Sequence, residues 1–209
     1  MNNYKTVFFT IGVLLIILGA FMLIPFFIQF IYGEENNTFL SSALVTTFMG
    51  ILLVLTNLEE NRKLNLQQTF LLTTLSWLSI AIFGCIPFLL SDLNLSFVDS
   101  FFESMSGITT TGSTIITYLD NAPKSILIWR AILQWLGGIG IIVMAITILP
   151  LLNVGGMQLF RMESSDNTEK ILPRTREITL IISLIYLALT LACGIAYWLT
   201  GMNIFDSIA

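Results

Sequence analysis

Five long segments without a charged residue dominate this chain. They are Thr6–Tyr32, Thr38–Leu58, Thr69–Ser91, Ala131–Leu152 and Ile178–Thr200. Each reaches the length of about 20 residues that a helix needs to cross a bilayer at a rise of ~1.5 Å per residue. Charged residues make up only 11% of the 209 residues, against roughly 25% in soluble domains. The sequence therefore predicts an all-α polytopic membrane protein.

A polar stretch lies between the third and fourth of these spans. Residues 97–106 read FVDSFFESMS, and after Gly107 and Ile108 come the residues TTTGST at 109–114. The stretch is too short and too polar to cross a bilayer by itself. We interpret it as a re-entrant helix at 97–108 followed by an ion-selective loop at 109–114. Irregular backbone at membrane depth is tolerated where protein or a water-filled cavity surrounds it.

The chemistry of an alkali cation motivates this interpretation. A bare cation in hydrocarbon is very unfavourable, so other ligands must replace its hydration water. Potassium channels use backbone carbonyls from loops rich in threonine and glycine. Glycine permits a positive φ, and threonine hydroxyls add ligand oxygens or tie the loop to its surroundings. The alternative is that TTTGST forms a polar patch between helices or an ordinary loop, since these residues are common in membrane helices.

The basic residues orient the spans. With a cytoplasmic N-terminus, the inner segments are 1–5, 59–68 and 153–177, and they hold seven of the nine Lys and Arg residues. The seven are Lys5, Arg62, Lys63, Arg161, Lys170, Arg174 and Arg176, and the other two are Lys124 and Arg130. This distribution follows the positive-inside rule only if residues 97–114 enter and leave on the same, outer side. The charge pattern thus favours the re-entrant interpretation independently of the loop sequence.

Acidic residues collect on the outer side of this topology. They are Glu34, Glu35, Asp92, Asp99, Glu103 and Asp120. Acidic groups at a pore mouth can concentrate cations, but we interpret Glu34 and Glu35 as solvated surface residues. Asp99 and Glu103 are four residues apart, so they either cap and orient the short helix or face a vestibule. Arg130 is expected to snorkel or to pair with a nearby carboxylate.

Small residues begin the fourth span. Gly137, Gly138 and Gly140 permit close approach of a neighbouring helix, so we predict a packing role for them.

An internal echo links two parts of the chain. Residues 77–100 and 184–207 each end a span with small residues, continue through a polar break with asparagine, and then start a segment with Phe and Asp-Ser. Asp99-Ser100 corresponds to Asp206-Ser207 with a two-residue difference in length. A repeat of this kind predicts a second re-entrant helix near Asn203. Because the pattern stops at Ala209, we expect the chain to be part of a longer protein.

Three segments carry a family resemblance. FFESMSGITTTGST, LQWLGGIGIIVMAITILPLLNVGGMQLFRMES and GMNIFDSIA resemble the TrkH branch of the Trk/Ktr/HKT potassium-uptake superfamily, and the similarity extends over essentially the whole chain. The resemblance implies linked helix–pore-loop–helix repeats around one ion path. Under this assignment, residues 1–68 form a leading two-helix segment and 69–152 the first pore repeat. Residues 153–177 form a cytoplasmic loop, and 178–209 start a second repeat.

The resemblance also implies particular roles. The carbonyls of Thr110, Thr111, Gly112 and Ser113 would coordinate potassium, with Asp99, Glu103, Gly107 and Thr109 supporting the pore helix. Potassium is then the transported ion, and no organic cofactor is expected. The implied partners are membrane lipid, a second copy in a homodimer of the intact protein and a cytoplasmic nucleotide-binding regulatory subunit. The implied location is the bacterial inner membrane. No basic cluster for nucleic acid is present.

Two other functions stay open at this stage. The chain is either a truncated, non-transporting membrane fragment or relic, or part of a secondary transporter of organic solutes built from broken helices. The reading frame beyond codon 209 separates the relic from a transporter, and fluxes of rubidium against organic solutes test the second possibility. An intramembrane enzyme is not indicated, because the sequence contains no histidine and the spans contain no paired catalytic carboxylates.

Overall fold

The computed structural model describes residues 4–34, 37–58, 65–148 and 168–209, and every regular element in these ranges is helical. The helices are α1 (Lys5–Phe21), α2 (Leu23–Tyr32), α3 (Thr38–Thr56), α4 (Leu66–Gly84), α5 (Ile86–Leu90), α6 (Phe97–Ile108), α7 (Lys124–Ile148), α8 (Thr168–Leu199) and α9 (Ile204–Ile208). Five stretches are long and apolar enough to cross a membrane: Lys5–Tyr32, Thr38–Thr56, Gln67–Leu90, Lys124–Met144 and Glu177–Leu199. The predicted all-α membrane fold is confirmed.

Two of the spans are bent shortly before a proline. Met22 separates α1 from α2 three residues before Pro25, and Cys85 separates α4 from α5 two residues before Pro87. Proline lacks an N–H and its ring presses on the preceding turn, so the helix bends and a carbonyl loses its partner. Near the second bend, the buried indole of Trp129 donates a hydrogen bond of 3.0 Å to the carbonyl of Gly84. The bend thereby becomes a contact between α4 and α7.

Helix α7 begins at Lys124, seven residues before the predicted start of its span at Ala131. The prediction stopped at Arg130 because that residue is charged, whereas the structure pairs it with Glu103 inside the protein. At the start of α7, the carboxylate of Glu34 accepts hydrogen bonds from the N–H and the hydroxyl of Ser125. A negative group suits a helix N-terminus. The interpretation of Glu34 as a solvated residue was therefore wrong.

Helix α8 begins at Thr168, inside the loop predicted at 153–177. The helix thus continues beyond the uncharged segment, through the charged sequence TEKILPRTRE and across Pro173. Residues 153–167, the end of the predicted fourth span at 149–152, and Glu35 lie outside the described residues.

The chain divides into two compact units, residues 1–138 and 139–209. In the first unit, α1 and α3 cross at two glycines: a Cβ built on Gly12 would lie 2.7 Å from the carbonyl oxygen of Gly50, and the reverse distance is the same. Such close contact lets two helix backbones pack without intervening side chains. The core of this unit includes Val7, Ile11, Leu15, Leu18, Met22, Phe39, Ala43, Phe88, Trp129 and Leu133.

The second unit contains the end of α7 from Ile139 onward, α8, a short connection and α9. The side chain of Asn203 accepts a hydrogen bond of 2.8 Å from the N–H of Asp206 at the start of α9. In the first unit, Ser96 accepts a hydrogen bond of 3.2 Å from the N–H of Asp99 at the start of α6. In both of the similar segments, 77–100 and 184–207, a span is thus followed by a capped helix, α6 in the first and α9 in the second.

The glycine contact between α1 and α3 gives a first prediction. We expect Gly12→Leu to lower the stability of the chain in detergent by about 2 kcal/mol or more, because the added side chain overpacks the crossing. The matched control is Ala20→Leu, which places the same side chain at an exposed position of α1. Thermal unfolding of both variants checks this, and equal losses would contradict the assigned contact.

Candidate functional site

The short helix α6 runs alongside α7 in the same direction. Near its middle, Glu103 contacts Arg130. One turn later, a Cβ built on Gly107 would lie 3.0 Å from the Cβ of Leu133. At the end of α6, the carbonyl oxygen of Ile108 would lie only 1.9 Å from a Cβ on Gly137. Successive residues of α6 therefore meet successive turns of α7.

The chain then returns along α7 toward its starting end. A Cβ on Gly112 would lie 3.5 Å from Nε2 of Gln134, and Thr114 contacts Arg130. Gly137 is ~20 Å along α7 from Lys124 at a rise of ~1.5 Å per residue. Since the hydrocarbon core of a bilayer is ~30 Å thick, the tip of this hairpin lies at mid-membrane depth if α7 spans the bilayer. The segment 97–114 is thus a re-entrant hairpin.

Local sequence determines where this hairpin begins. The hydroxyl of Ser96 accepts the N–H of Asp99, and it donates a hydrogen bond of 2.7 Å to the Asp99 carboxylate. This reciprocal cap satisfies backbone donors in the first turn and places a negative charge at the positive end of the helix. Asp99 therefore supports the start of α6.

Small residues let the tip of the hairpin pack against α7. The backbone of Ile108 leaves no room for a side chain at Gly137, and at Gly107 an added Cβ would make a tight contact of 3.0 Å with the Cβ of Leu133. Gly138 is half-buried on the same helix. In contrast, a Cβ on Gly140 meets no heavy atom within 4 Å among the described residues, so the predicted packing role finds no contact there.

The loop backbone after α6 is irregular but ordered by hydrogen bonds. Thr110 has φ 58° and Gly112 has φ 76°. A positive φ is unusual for a β-branched residue, so Thr110 stores strain that the surrounding contacts must hold. The N–H groups of Thr111 and Gly112 both donate to the carbonyl of Ser106, at 3.0 and 3.3 Å. Thr109 donates its hydroxyl to the carbonyl of Met105 at 2.7 Å.

The carbonyl groups of the loop fall into two classes. In the part of the chain that the structure describes, no hydrogen bond ends on the carbonyl oxygens of Thr110, Thr111 or Gly112. These three residues are exposed. The carbonyl of Ser113, by contrast, accepts a hydrogen bond of 2.6 Å from the hydroxyl of Ser106. The loop thus presents a short run of unpaired oxygens followed by one that ties the loop to α6.

A network of buried charged groups holds residues 114–115, where the chain runs back along α7. One carboxylate oxygen of Glu103 accepts hydrogen bonds of 2.6 Å from the Thr114 hydroxyl and from the N–H of Ile115. The other oxygen accepts a hydrogen bond from Arg130, which also donates to the Thr114 hydroxyl at 2.7 Å. The side chain of Glu103 is completely buried and that of Arg130 is 12% exposed. Glu103 therefore supports the loop from inside the protein and does not face a vestibule.

The energetic consequence of this network is large. Removing one member of a buried ion pair typically costs about 3–5 kcal/mol, because the other charge is left without a partner. The sequence indicated that Arg130 could pair with a carboxylate, but it gave no signal for the contacts of Ser106 or Gln134 with the loop. Those contacts arise from the hairpin geometry, in which residues far apart in sequence lie side by side.

Comparisons with known proteins agree with this arrangement. A family model described as TrkH, cation transport protein, matches residues 34–208. The Trk system potassium uptake protein TrkH of Vibrio parahaemolyticus is 40% identical over 99% of this chain and 44% of that protein. The TrkI protein of Halomonas elongata, also named as a Trk system potassium uptake protein, is 40% identical over 100% of this chain and 42% of its own length.

A solved structure shows the same fold. The chain is similar to the crystal structure of the potassium transporter TrkH from Vibrio parahaemolyticus, with a TM-score of 0.86 and 38% identity. This similarity covers 100% of the present chain and 42% of that one. The present chain therefore spans less than half the length of the curated relatives that it matches.

The strained loop gives a second prediction. We expect Thr110→Gly to leave the stability of the chain unchanged or raise it by up to about 1 kcal/mol, because glycine removes the cost of the positive φ. Thr109→Gly is the matched control, since that residue loses hydrogen bonds to Met105 and Thr111 without relieving strain. It should lose about 1 kcal/mol. Chemical denaturation in detergent compares the two, and a larger loss for Thr110→Gly would contradict the strain assignment.

Proposed function

The chain belongs to the TrkH family of cation transport proteins, and from this premise we propose that the intact protein carries potassium ions across the bacterial inner membrane. Residues 109–114 would form one part of its selective ion path. The activity belongs to the complete protein, because this chain corresponds to 44% of the length of its Vibrio relative. The relatives named above are potassium uptake proteins, which supports potassium as the transported ion.

One observation carries this proposal: the unpaired carbonyls at the tip of the hairpin. Backbone carbonyls left without partners at membrane depth are unfavourable unless they face water, protein donors or a cation. Those of Thr110, Thr111 and Gly112 have no hydrogen-bond donor among the described residues. We assign these three as the cation ligands from this segment. Ser113 stays a proposed fourth ligand, since its carbonyl has a second lone pair beside the hydrogen bond that it accepts from Ser106.

The proposed selectivity comes from the backbone. Potassium and sodium have the same charge, so discrimination depends on the number, spacing and field of the coordinating oxygens. One hairpin supplies ligands on one side of an ion only. The other ligands are proposed to come from further parts of the complete protein, as the internal echo at Asn203–Asp206 suggests.

We extend the proposal to orientation and partners. The excess of basic residues in segments 1–5, 59–68 and 153–177 supports a cytoplasmic N-terminus. Exposed apolar side chains on the spans, such as Phe30 at 84% and Ile31 at 71%, are suited to membrane lipid. The names of the relatives support a role within a Trk system. The nucleotide-binding regulatory subunit and the homodimer of the intact protein stay predictions from the family resemblance.

Gly112 allows a direct test of the filter assignment. In the complete protein that carries this chain, we expect Gly112→Ser to reduce the preference for potassium over sodium about tenfold or more, because serine at φ 76° forces the carbonyls to reorient. Uptake of potassium in competition with sodium, measured in cells that lack other potassium uptake systems, checks this.

The control for that experiment is Gly33→Ser. Gly33 has a similar φ of 67°, has no heavy atom within 4 Å of an added Cβ, and ends α2 away from the loop. Its substitution imposes comparable strain without touching the proposed ligands. Unchanged selectivity in Gly112→Ser, or an equal change in Gly33→Ser, would count against the assignment.

The topology is tested separately. Tyr118 is 82% exposed and lies after the hairpin, while Leu58 is 57% exposed and follows α3. In a background without Cys85 and Cys193, we expect Tyr118→Cys to react with a membrane-impermeant maleimide added outside. Leu58→Cys should react only after the membrane is permeabilised. The reverse pattern would exclude the proposed orientation.

A further inference from the structure

The positive charge of Arg130 lies unexpectedly close to the proposed ligands. Its guanidinium donates a hydrogen bond of 2.7 Å to the hydroxyl of Thr114, two residues after Gly112. Two residues of extended chain span ~7 Å. At that separation and an effective dielectric constant of ~20, two like charges repel enough to change a binding constant roughly 50-fold. An uncompensated Arg130 would therefore oppose cation binding at the loop.

Glu103 is placed to cancel this charge. Its side chain is fully buried, and it accepts hydrogen bonds from Arg130, from the Thr114 hydroxyl and from the N–H of Ile115. Both charged groups therefore bind the same short segment, residues 114–115. Hydrogen bonds to charged groups are stronger than those between neutral groups, so the pair fixes this segment firmly. Because the two charges oppose each other, it does so without adding a net charge beside the ion path.

We propose that Glu103 and Arg130 form a charge-compensated clamp that positions the loop and sets its affinity for cations. This inference rests on the proposed function. The clamp leaves the carbonyl dipoles of Thr110, Thr111 and Gly112 as the dominant field on the ion. Glu103 is a positioning residue, and its charge is as important as its hydrogen bonds. The property that determines cation affinity is then the net charge of the pair.

Variants that change the net charge separate this role from simple structural support. Glu103→Gln gives the pair a charge of +1, and Arg130→Gln gives it −1. Glu103→Asp, Arg130→Lys and the double variant E103Q/R130Q all keep it at zero. Replacing a buried ion pair by a neutral pair is often tolerated, so the double variant is expected to fold.

The experiment measures rubidium uptake by the complete protein that carries this chain, as the rubidium concentration at half-maximal rate (KM) and the maximal rate, corrected for the amount of protein in the membrane. We expect Glu103→Gln to raise KM about tenfold or more and Arg130→Gln to lower it. The three neutral variants should change KM less than either charge-changing variant does. A merely structural role predicts that both single variants impair uptake in the same direction, because each leaves a buried charge without its partner.

The matched control is Glu34→Gln. It makes the same carboxylate-to-amide change at another acid that binds α7, through Ser125, away from the loop. Its KM should not change. If Glu103→Gln does not accumulate in the membrane, Arg130→Gln still tests the clamp, because its KM is expected to fall.

The outcomes are distinguishable. A KM that follows the net charge of the pair supports the clamp. If Glu103→Gln and Arg130→Gln change KM in the same direction, or if Glu34→Gln has the same effect as Glu103→Gln, the clamp is overturned while potassium transport stands. If the unaltered protein takes up neither rubidium nor potassium, the proposed function fails and the clamp fails with it.

Discussion

Hydrocarbon offers no hydrogen bonds, so each backbone N–H and C=O at membrane depth must find a partner within the protein or face water. Most of this chain meets that constraint by forming helices. The places that depart from helix are held by identifiable groups. Near the bend at Pro87, the indole of Trp129 binds the Gly84 carbonyl. At the hairpin, Ser106 and Glu103 bind the loop. Among the described residues, the adjacent carbonyls of Thr110, Thr111 and Gly112 accept no hydrogen bond, and this run of free acceptors is why the loop has a functional interpretation.

Much of this architecture could be predicted from the sequence, because hydropathy and helix caps are local signals. The spans follow from uncharged segments, and the short helix follows from the cap formed by Ser96 and Asp99. The errors arose where a charge had a distant partner. The expected pairing of Arg130 with a carboxylate is present, with Glu103 as its partner, but α7 extends beyond the uncharged segment to Lys124. The prediction of a solvated Glu34 is wrong, because Glu34 binds the start of α7. Pairing between residues 27 or 91 positions apart has no local signature.

The glycines of the chain show how one residue type serves two physical purposes. Gly12, Gly50 and Gly137 lie where another backbone is too close for a side chain. Gly112 has open space beside it, since the nearest atom is 3.5 Å from an added Cβ, but its φ is 76°. The sequence predicts a positive φ for the glycine of the TTTGST loop and packing for the glycines of the fourth span. The structure separates residues that need the space from residues that need the conformation, and only the latter define the geometry of the loop.

The loop also explains why its support is ionic. A loop that contains a strained residue such as Thr110 needs strong restraints. Apolar packing cannot satisfy the N–H of Ile115 or the hydroxyl of Thr114, which follow the loop. A single charged group would restrain them but would impose its own field on a cation nearby. Two opposite charges bound to the same strand supply the restraint with little net field. In this arrangement the weak dipoles of the peptide carbonyls become the largest electrostatic influence at the tip of the hairpin, which is the condition that selection between cations of equal charge requires.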